Sequence, residues 1–335
     1  MNKRAIVTGS SGFIGATLTT HLLNEGWEVL GIDSHSEYYS VELKELRLGL
    51  LTPRSNFYFH NFNLGNNSYF EDITKNFKPD SIFHLAAQAG VRIPNTEVQK
   101  YVESNLVGFS KVLQAAIVNE VPNFLYASSS SVYGDIAQIP YSEGERNLRP
   151  NSFYGATKLS NEILAEAMTR GSRTKCRGMR FFTVYGPIGR PDMAYFRIIA
   201  SLIAGSKFEL FGDGRIERDF TFIDDCVQMI SKLEKELNSR PEGFNDIVNI
   251  GGGNPVSMLK LIETTSEILG KTLEYKIVSP NPKDAAKTMA DSSYLEKLIG
   301  DKPKCDLRSG IEKTVDWAKR SVTNTQLVNW VNSSR

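Results

Sequence analysis

Apolar residues in the first half of the chain fall into short solid runs, separated by stretches with a helical beat. AIVT after Arg4, EVLGID at 28–33, FYFHNF at 57–62, SIFHLA at 81–86, NFLYAS at 123–128 and KCRGMRFF near 175–182 read as six strands. Between them, residues 13–25, YSVELKELRLGLL at 39–51, and residues 68–78, 98–119 and 154–169 read as helices. Gly26 is a fitting stop for the first of these. Runs that stay apolar instead of alternating mark strands covered on both faces. Strand alternating with helix predicts a mostly parallel sheet with helices on either side and right-handed crossovers.

Near residue 185 the texture changes. YGPIGRPDM is rich in Gly and Pro and predicts a shaped loop. Beyond it lie a helix near 193–204, a short FELF strand, the loop GDGRIERDF and a helix from Asp224 to Leu237. Ser257 is placed to cap a helix running to Leu269, and a last helix is expected near 308–320. The expected division is a main domain over 1–185 and a smaller α/β lobe over 186–335, with some segments, the last helix among them, returning to the main domain.

Composition narrows the class. The chain has 335 residues, enough for a large core with an added lobe. Lys plus Arg number 39 and Asp plus Glu 38, a balance that gives no support to a nucleic-acid or membrane-surface partner. The N-terminus enters a strand directly and no stretch approaches 18 apolar residues, so a soluble, cytoplasmic protein is expected. Cys176, Cys226 and Cys305 are scattered and read as free thiols; His21, His35, His60 and His84 form no ligand pattern, so no bound metal is expected.

Two sites carry chemistry. GSSGFIG at 9–15 follows the first strand and opens the first helix. Gly9 permits a tight turn, Gly12 lets backbone approach a pyrophosphate, and Gly15 lets helix pack on strand. The helix start offers amides to phosphate. Asp33 ends the second strand, where a carboxylate accepts hydrogen bonds from ribose and repels a 2′-phosphate. That favours NAD over NADP; a turn-capping role for Asp33 stays open. The expected architecture is therefore a Rossmann-type doubly wound parallel sheet. Downstream, Tyr154 and Lys158 stand four apart at a helix start, on one face. Nearby cations would favour the phenolate, which can take a proton from an alcohol as hydride leaves carbon. Ser129, just past the fifth strand, would orient that alcohol. A Tyr–x–x–x–Lys pair on its own is more often a surface pair; its company here argues otherwise.

GSSGFIG, HLAAQAGVR, ASSSSVYG, YGATK, RFFTVYGP, GRPDM and RDFTFIDD occur in that order along nearly the whole chain. In this the chain resembles the extended short-chain dehydrogenase/reductases of the NAD-dependent epimerase/dehydratase family. DSHSEYYSVELKELRLGLL and VYGPIGRPDMAYF make it most similar to UDP-glucuronate 4-epimerases. The resemblance implies Tyr154 as base, Lys158 as its partner and Ser129 at the hydroxyl position. It implies NAD contacts from Gly9, Gly12, Phe13, Ile14, Gly15, Asp33, Asn63, Leu64, Leu85, Ala86, Ala87, Tyr154 and Lys158. Asn63 stands where the family usually has an aspartate. UDP-sugar contacts are implied for Arg92, Ser130, Ser131, Thr183, Arg190, Arg218 and Asp284, the last after a turn in which Lys283 replaces the family's glycine. A homodimer through the helices at 98–119 and 154–169 is also implied.

The family's dehydratases carry an Asp–Glu pair where this chain has Ser130 and Ser131, which disfavours dehydration. The implied reaction is C4 epimerisation of UDP-glucuronate to UDP-galacturonate. Arg190 has the chemistry to grip a carboxylate, or to form a loop salt bridge instead. Asn105 either aligns the nicotinamide-side segment or ties two helices. A UDP-glucuronate decarboxylase, a UDP-glucose or UDP-N-acetylglucosamine 4-epimerase, and a non-catalytic NAD sensor or scaffold remain as alternatives.

Overall fold

Alternate residues of the first strand, Ala5 and Val7 against Ile6, point to opposite faces and enter two separate apolar clusters, all with no exposed surface. This doubly buried strand sets the architecture of the computed structural model, which describes residues 2–66, 69–91, 95–280 and 285–334. In chain order the first elements are β1 (Arg4–Thr8), α1 (Phe13–Asn24), β2 (Glu28–Asp33), α2 (Val41–Leu51), β3 (Phe57–Asn61), α3 (Phe70–Phe77) and β4 (Ser81–His84). Then come α4 (Val98–Tyr101), α5 (Phe109–Val118), β5 (Asn123–Ser129), α6 (Phe153–Thr169) and β6 (Lys175–Phe181). The second half holds β7 (Thr183–Tyr185), α7 (Ala194–Ala204), β8 (Phe208–Phe211), β9 (Glu217–Phe222), α8 (Ile223–Leu237) and β10 (Asn245–Ile250). It ends with β11 (Pro255–Ser257), α9 (Met258–Leu269), β12 (Tyr275–Val278), α10 (Ser293–Ile299), α11 (Leu307–Ser321) and α12 (Asn324–Asn332).

The main sheet runs β10-β6-β5-β4-β1-β2-β3, and every pairing in it is parallel. Strand order reverses between β1 and β4, and open α/β sheets bind ligands at the carboxyl ends beside such a reversal. α1 and α8 pack together on one face; α3, α5 and α6 cover the other. The smaller lobe carries the sheet β11-β9-β7 and the parallel pair β12-β8.

Three departures from the sequence reading bear on the site. The helix expected over 98–119 is one rod whose middle, Val102–Gly108, widens into a π-type turn. Asn245–Ile250, to which the apolar pattern gave no strand, forms the outermost strand of the main sheet. The last helix expected near 308–320 is α11, which packs on α9 and β9 in the smaller lobe. The chain instead returns through α8 and β10, and α12 follows α11 with a capping box of Thr323 and Gln326. From α12, the Gln326 amide and the Trp330 indole N–H both donate to Glu42 of α2, at 2.8 and 2.9 Å. Ser257 does cap α9, accepting from the Lys260 amide.

Candidate active site

The carboxyl ends of β1, β2, β4 and β5 open into a continuous cleft of about 1190 Å³. Small-ligand pockets usually span about 300–1,000 Å³, so this one exceeds the usual range for a single ligand. One end is walled by the glycine loop. Gly9 has φ +73°, and a Cβ on it would lie 2.8 Å from the Ala86 backbone nitrogen. A Cβ on Gly15 would lie 2.0 Å from the Gly9 carbonyl oxygen. Only glycine fits either position. Gly12 is the N-cap of α1 and no side chain caps that terminus, so its first amides face the cleft. These features fit a dinucleotide pyrophosphate. Asp33 accepts from the Ser11 amide at 3.0 Å and the His35 amide at 2.9 Å, and it also lines the cleft. The turn-capping bonds are therefore made, and the same carboxylate still borders the cleft. Asn63 accepts from the Gly65 amide at 2.9 Å and lines the same end with Leu64, Leu85, Ala86 and Ala87.

At mid-cleft, Ser152 caps α6 and so fixes the first turn that carries Tyr154. Lys158, one turn on, is 2% exposed. Its ammonium donates to the Ala127 carbonyl at 2.9 Å and sits 5.8 Å from the centre of the Tyr154 ring. Burial pushes the Lys158 ammonium down to about 8, against the pull of the Glu162 carboxylate. Burial lifts the Tyr154 phenol above its usual range, while the Arg190 guanidinium and the Ser129 hydroxyl draw it back. Ser129 donates to the Ser131 hydroxyl at 3.0 Å and accepts from the Ser131 amide at 3.1 Å. Ser130 and Ser131 line the cleft beside it. Below, His84 meets the Thr8 hydroxyl at 2.8 Å, and burial pushes its imidazole down to about 3, so it stays neutral.

Asn105 lies on the widened turn. Its amide nitrogen donates to the Gln88 carbonyl at 3.0 Å and the Thr157 hydroxyl at 3.1 Å, and its oxygen accepts from the Gln88 amide at 2.7 Å. It ties the helical rod to α6 through Thr157 and also holds the loop after β4 through Gln88. A widened turn often marks such a site.

The far end gathers side chains from distant segments. Arg190 and Asp192 form a two-pronged pair at 3.0 and 2.6 Å, with the guanidinium 5.9 Å from the centre of the Tyr38 ring. Both the salt-bridge reading of Arg190 and its place in the cleft hold at once. Thr183 and Arg218 line the cleft too, and Arg218 donates to the Glu217 carbonyl at 2.9 Å. Arg92 and Asp284 lie outside the described residues.

Three cleft residues have no singled-out signal in the sequence. Lys44, 5% exposed, reaches Ser36 from α2, and burial pushes its ammonium down to about 8. Tyr38 stacks at the Arg190 end, where burial and Asp192 push its phenol up to about 12. Asp192 is legible only as the next acid in GRPDM. Among the described residues no group of His, Cys, Asp and Glu could hold a metal ion, and no helix is long and apolar enough to cross a membrane.

The model of the NAD dependent epimerase/dehydratase family matches residues 5–251. Protein CapI of Staphylococcus aureus is 36% identical over 330 residues, covering 94% of this chain and 98% of that protein. A UDP-glucuronate 4-epimerase of Thermodesulfobacterium geofontis is 35% identical, covering 95% and 96%. Among solved structures, the UDP-glucuronic acid 4-epimerase of Bacillus cereus in complex with UDP-glucuronic acid and NAD superimposes with a TM-score of 0.88. It is 33% identical, and the match covers 95% of this chain and 99% of that one.

Proposed function

The chain belongs to the NAD-dependent epimerase/dehydratase family, and from that premise we propose that it inverts C4 of UDP-glucuronate, giving UDP-galacturonate. Membership makes it an NAD-dependent enzyme acting on a nucleotide sugar. The observation that carries the finer reading is the shared cleft: glycine loop, Ser129, Tyr154, Lys158 and Arg190 all line it. Relatives that turn over or hold UDP-glucuronate support the choice of sugar.

Bound on the glycine loop, NAD would supply a reversible hydride acceptor for C4. Tyr154 takes the proton of the C4 hydroxyl, with Ser129 orienting that hydroxyl and Arg190 offsetting the phenolate charge. Lys158 grips a ribose hydroxyl of the cofactor from α6, a role its place on the cleft wall supports. The 4-keto sugar turns about its diphosphate; C4 would then take the hydride back on its opposite face as Tyr154 returns the proton to the C4 oxygen. Remote anchoring of UDP keeps the ketone in place while it turns. No carboxylic acid stands at 130 or 131 to protonate a leaving C6 hydroxyl, so dehydration lacks its acid. A cytoplasmic homodimer completes the reading; Val107, Val118 and Ile163, exposed on the widened turn, α5 and α6, supply an apolar face for it.

One observation favours a second reading. Asp192 already takes two nitrogens of Arg190, which suits a 4-epimerase of neutral sugars such as UDP-glucose. NMR of each UDP-sugar with the enzyme and no added cofactor, followed by Arg190→Met, separates the two. We expect UDP-galacturonate as product and a loss of about 10²-fold in its formation on replacing Arg190. Faster turnover of UDP-glucose than of UDP-glucuronate, with both slowed alike by Arg190→Met, favours the neutral-sugar enzyme. Release of CO₂ with a pentose product identifies a decarboxylase, and no turnover of any sugar leaves an NAD-binding sensor.

A further inference from the structure

Arg47 of α2 has no exposed surface, and among the described residues its four hydrogen bonds all end on neutral oxygens. Nε donates to the Ile188 carbonyl at 2.9 Å and one terminal nitrogen to the Gly189 carbonyl at 2.9 Å. The other terminal nitrogen donates to the Ser11 carbonyl at 3.2 Å and the Tyr39 hydroxyl at 2.7 Å. Burying a guanidinium without a carboxylate is costly, so the position needs a reason. Its acceptors provide one. Ser11 lies inside the glycine loop; Ile188 and Gly189 directly precede Arg190. Ile188 has φ +49°, a conformation a β-branched residue avoids, and its carbonyl is turned onto Arg47. Arg47 does not line the cleft, while Arg190 and the glycine loop do.

We infer that Arg47 is a positioning residue that sets the distance and angle between the dinucleotide loop and the loop bearing Arg190. It acts through their backbones and touches neither ligand. The inference rests on the epimerase reading above and deepens it. Oxidised at C4, a uronate is a β-keto acid. If its C5–C6 bond swings parallel to the ketone π system, that bond breaks, its electron pair enters C5–C4 as an enolate, CO₂ leaves and C5 takes a proton. Suppressing this loss requires the carboxylate's anchor to be fixed relative to the face from which hydride departs. One rigid fork bonded to both loops fixes it, and a lysine with a single compact head cannot span the same acceptors.

The test uses the full-length Arg47→Lys and Arg47→Met enzymes with UDP-glucuronate, counting pentose and CO₂ formed per UDP-galacturonate. This ratio does not depend on how much protein is folded. We expect it to rise about tenfold or more in both variants, with lysine the milder, as loosened placement of reacting groups costs up to about 10²-fold. Hydrogen–deuterium exchange of the ligand-free variants should quicken at 9–15 and 186–193 together. An unchanged ratio overturns the inference, even where total activity falls. If the wild type makes no UDP-galacturonate, the functional reading fails; exchange then decides the coupling, and unchanged exchange at 186–193 overturns it. Should neither variant fold, Tyr39→Phe removes one acceptor alone: a smaller rise in the ratio supports the inference and no rise overturns it.

Discussion

At the glycine-loop end the cleft is walled largely by backbone, whereas at the Arg190 end it is walled by side chains, Arg190 pairing with Asp192 and facing Tyr38. Gly9 and Gly15 exclude any Cβ, and the open N-terminus of α1 completes that wall within seven consecutive residues. The Arg190 end draws Tyr38, Thr183, Arg190 with Asp192, and Arg218 from four separate segments. A backbone site is specified locally, by residues that permit one conformation. A side-chain site is specified by the whole fold, and its charges can answer each other as readily as they answer a ligand.

Three substitutions sharpen or break this contrast. Tyr154→Phe should have the largest effect: turnover falls by about 10²–10⁴-fold, while NAD affinity measured by titration stays near wild type. Equal loss of both would mean that the two ends are not separable. Gly15→Val drives a branched side chain against the Gly9 carbonyl, 2.0 Å from where its Cβ would stand. Overpacking of that kind typically costs about 1–3 kcal/mol, and NAD affinity should fall by about 10- to 100-fold in calorimetry. Wild-type affinity would show that the loop yields more readily than its contacts indicate. Gly49→Ala should have the smallest effect. Gly49 sits in α2 with nothing within 4 Å of its missing Cβ, so alanine should stabilise by about 0.5–1 kcal/mol in thermal unfolding and leave turnover alone.

The same contrast decides what could be read in advance. β1 to β6 and the helices between them follow from solid apolar runs and caps, which are local signals. GSSGFIG and the four-residue step from Tyr154 to Lys158 are local as well. β10 is not, because NDIVNI is amphipathic enough to sit in either lobe and only its pairing with β6 decides. The widened turn at Val102–Gly108 has no spacing signature, and it buries a polar Asn105 on the face that is otherwise apolar. Arg190 shows its chemistry in the sequence but not its commitment to Asp192, and Lys44 looks like an ordinary surface lysine until Tyr39 and Ser36 bury it.

The crossing of α8 and β10 into the main sheet has a consequence for how such enzymes diversify. α8 lies on α1, where Lys235 and Ser231 meet Glu25 at 2.8 and 3.0 Å, and β10 runs in register with β6 from Cys176 to Phe181. A recombination that exchanged everything after residue 185 for the corresponding stretch of a relative would import a foreign edge strand along with the new part of the cleft wall. New substrate ranges are therefore inherited only together with a matching seam, which confines successful shuffling to donors whose Ile223–Ile250 stretch already suits the recipient's scaffold.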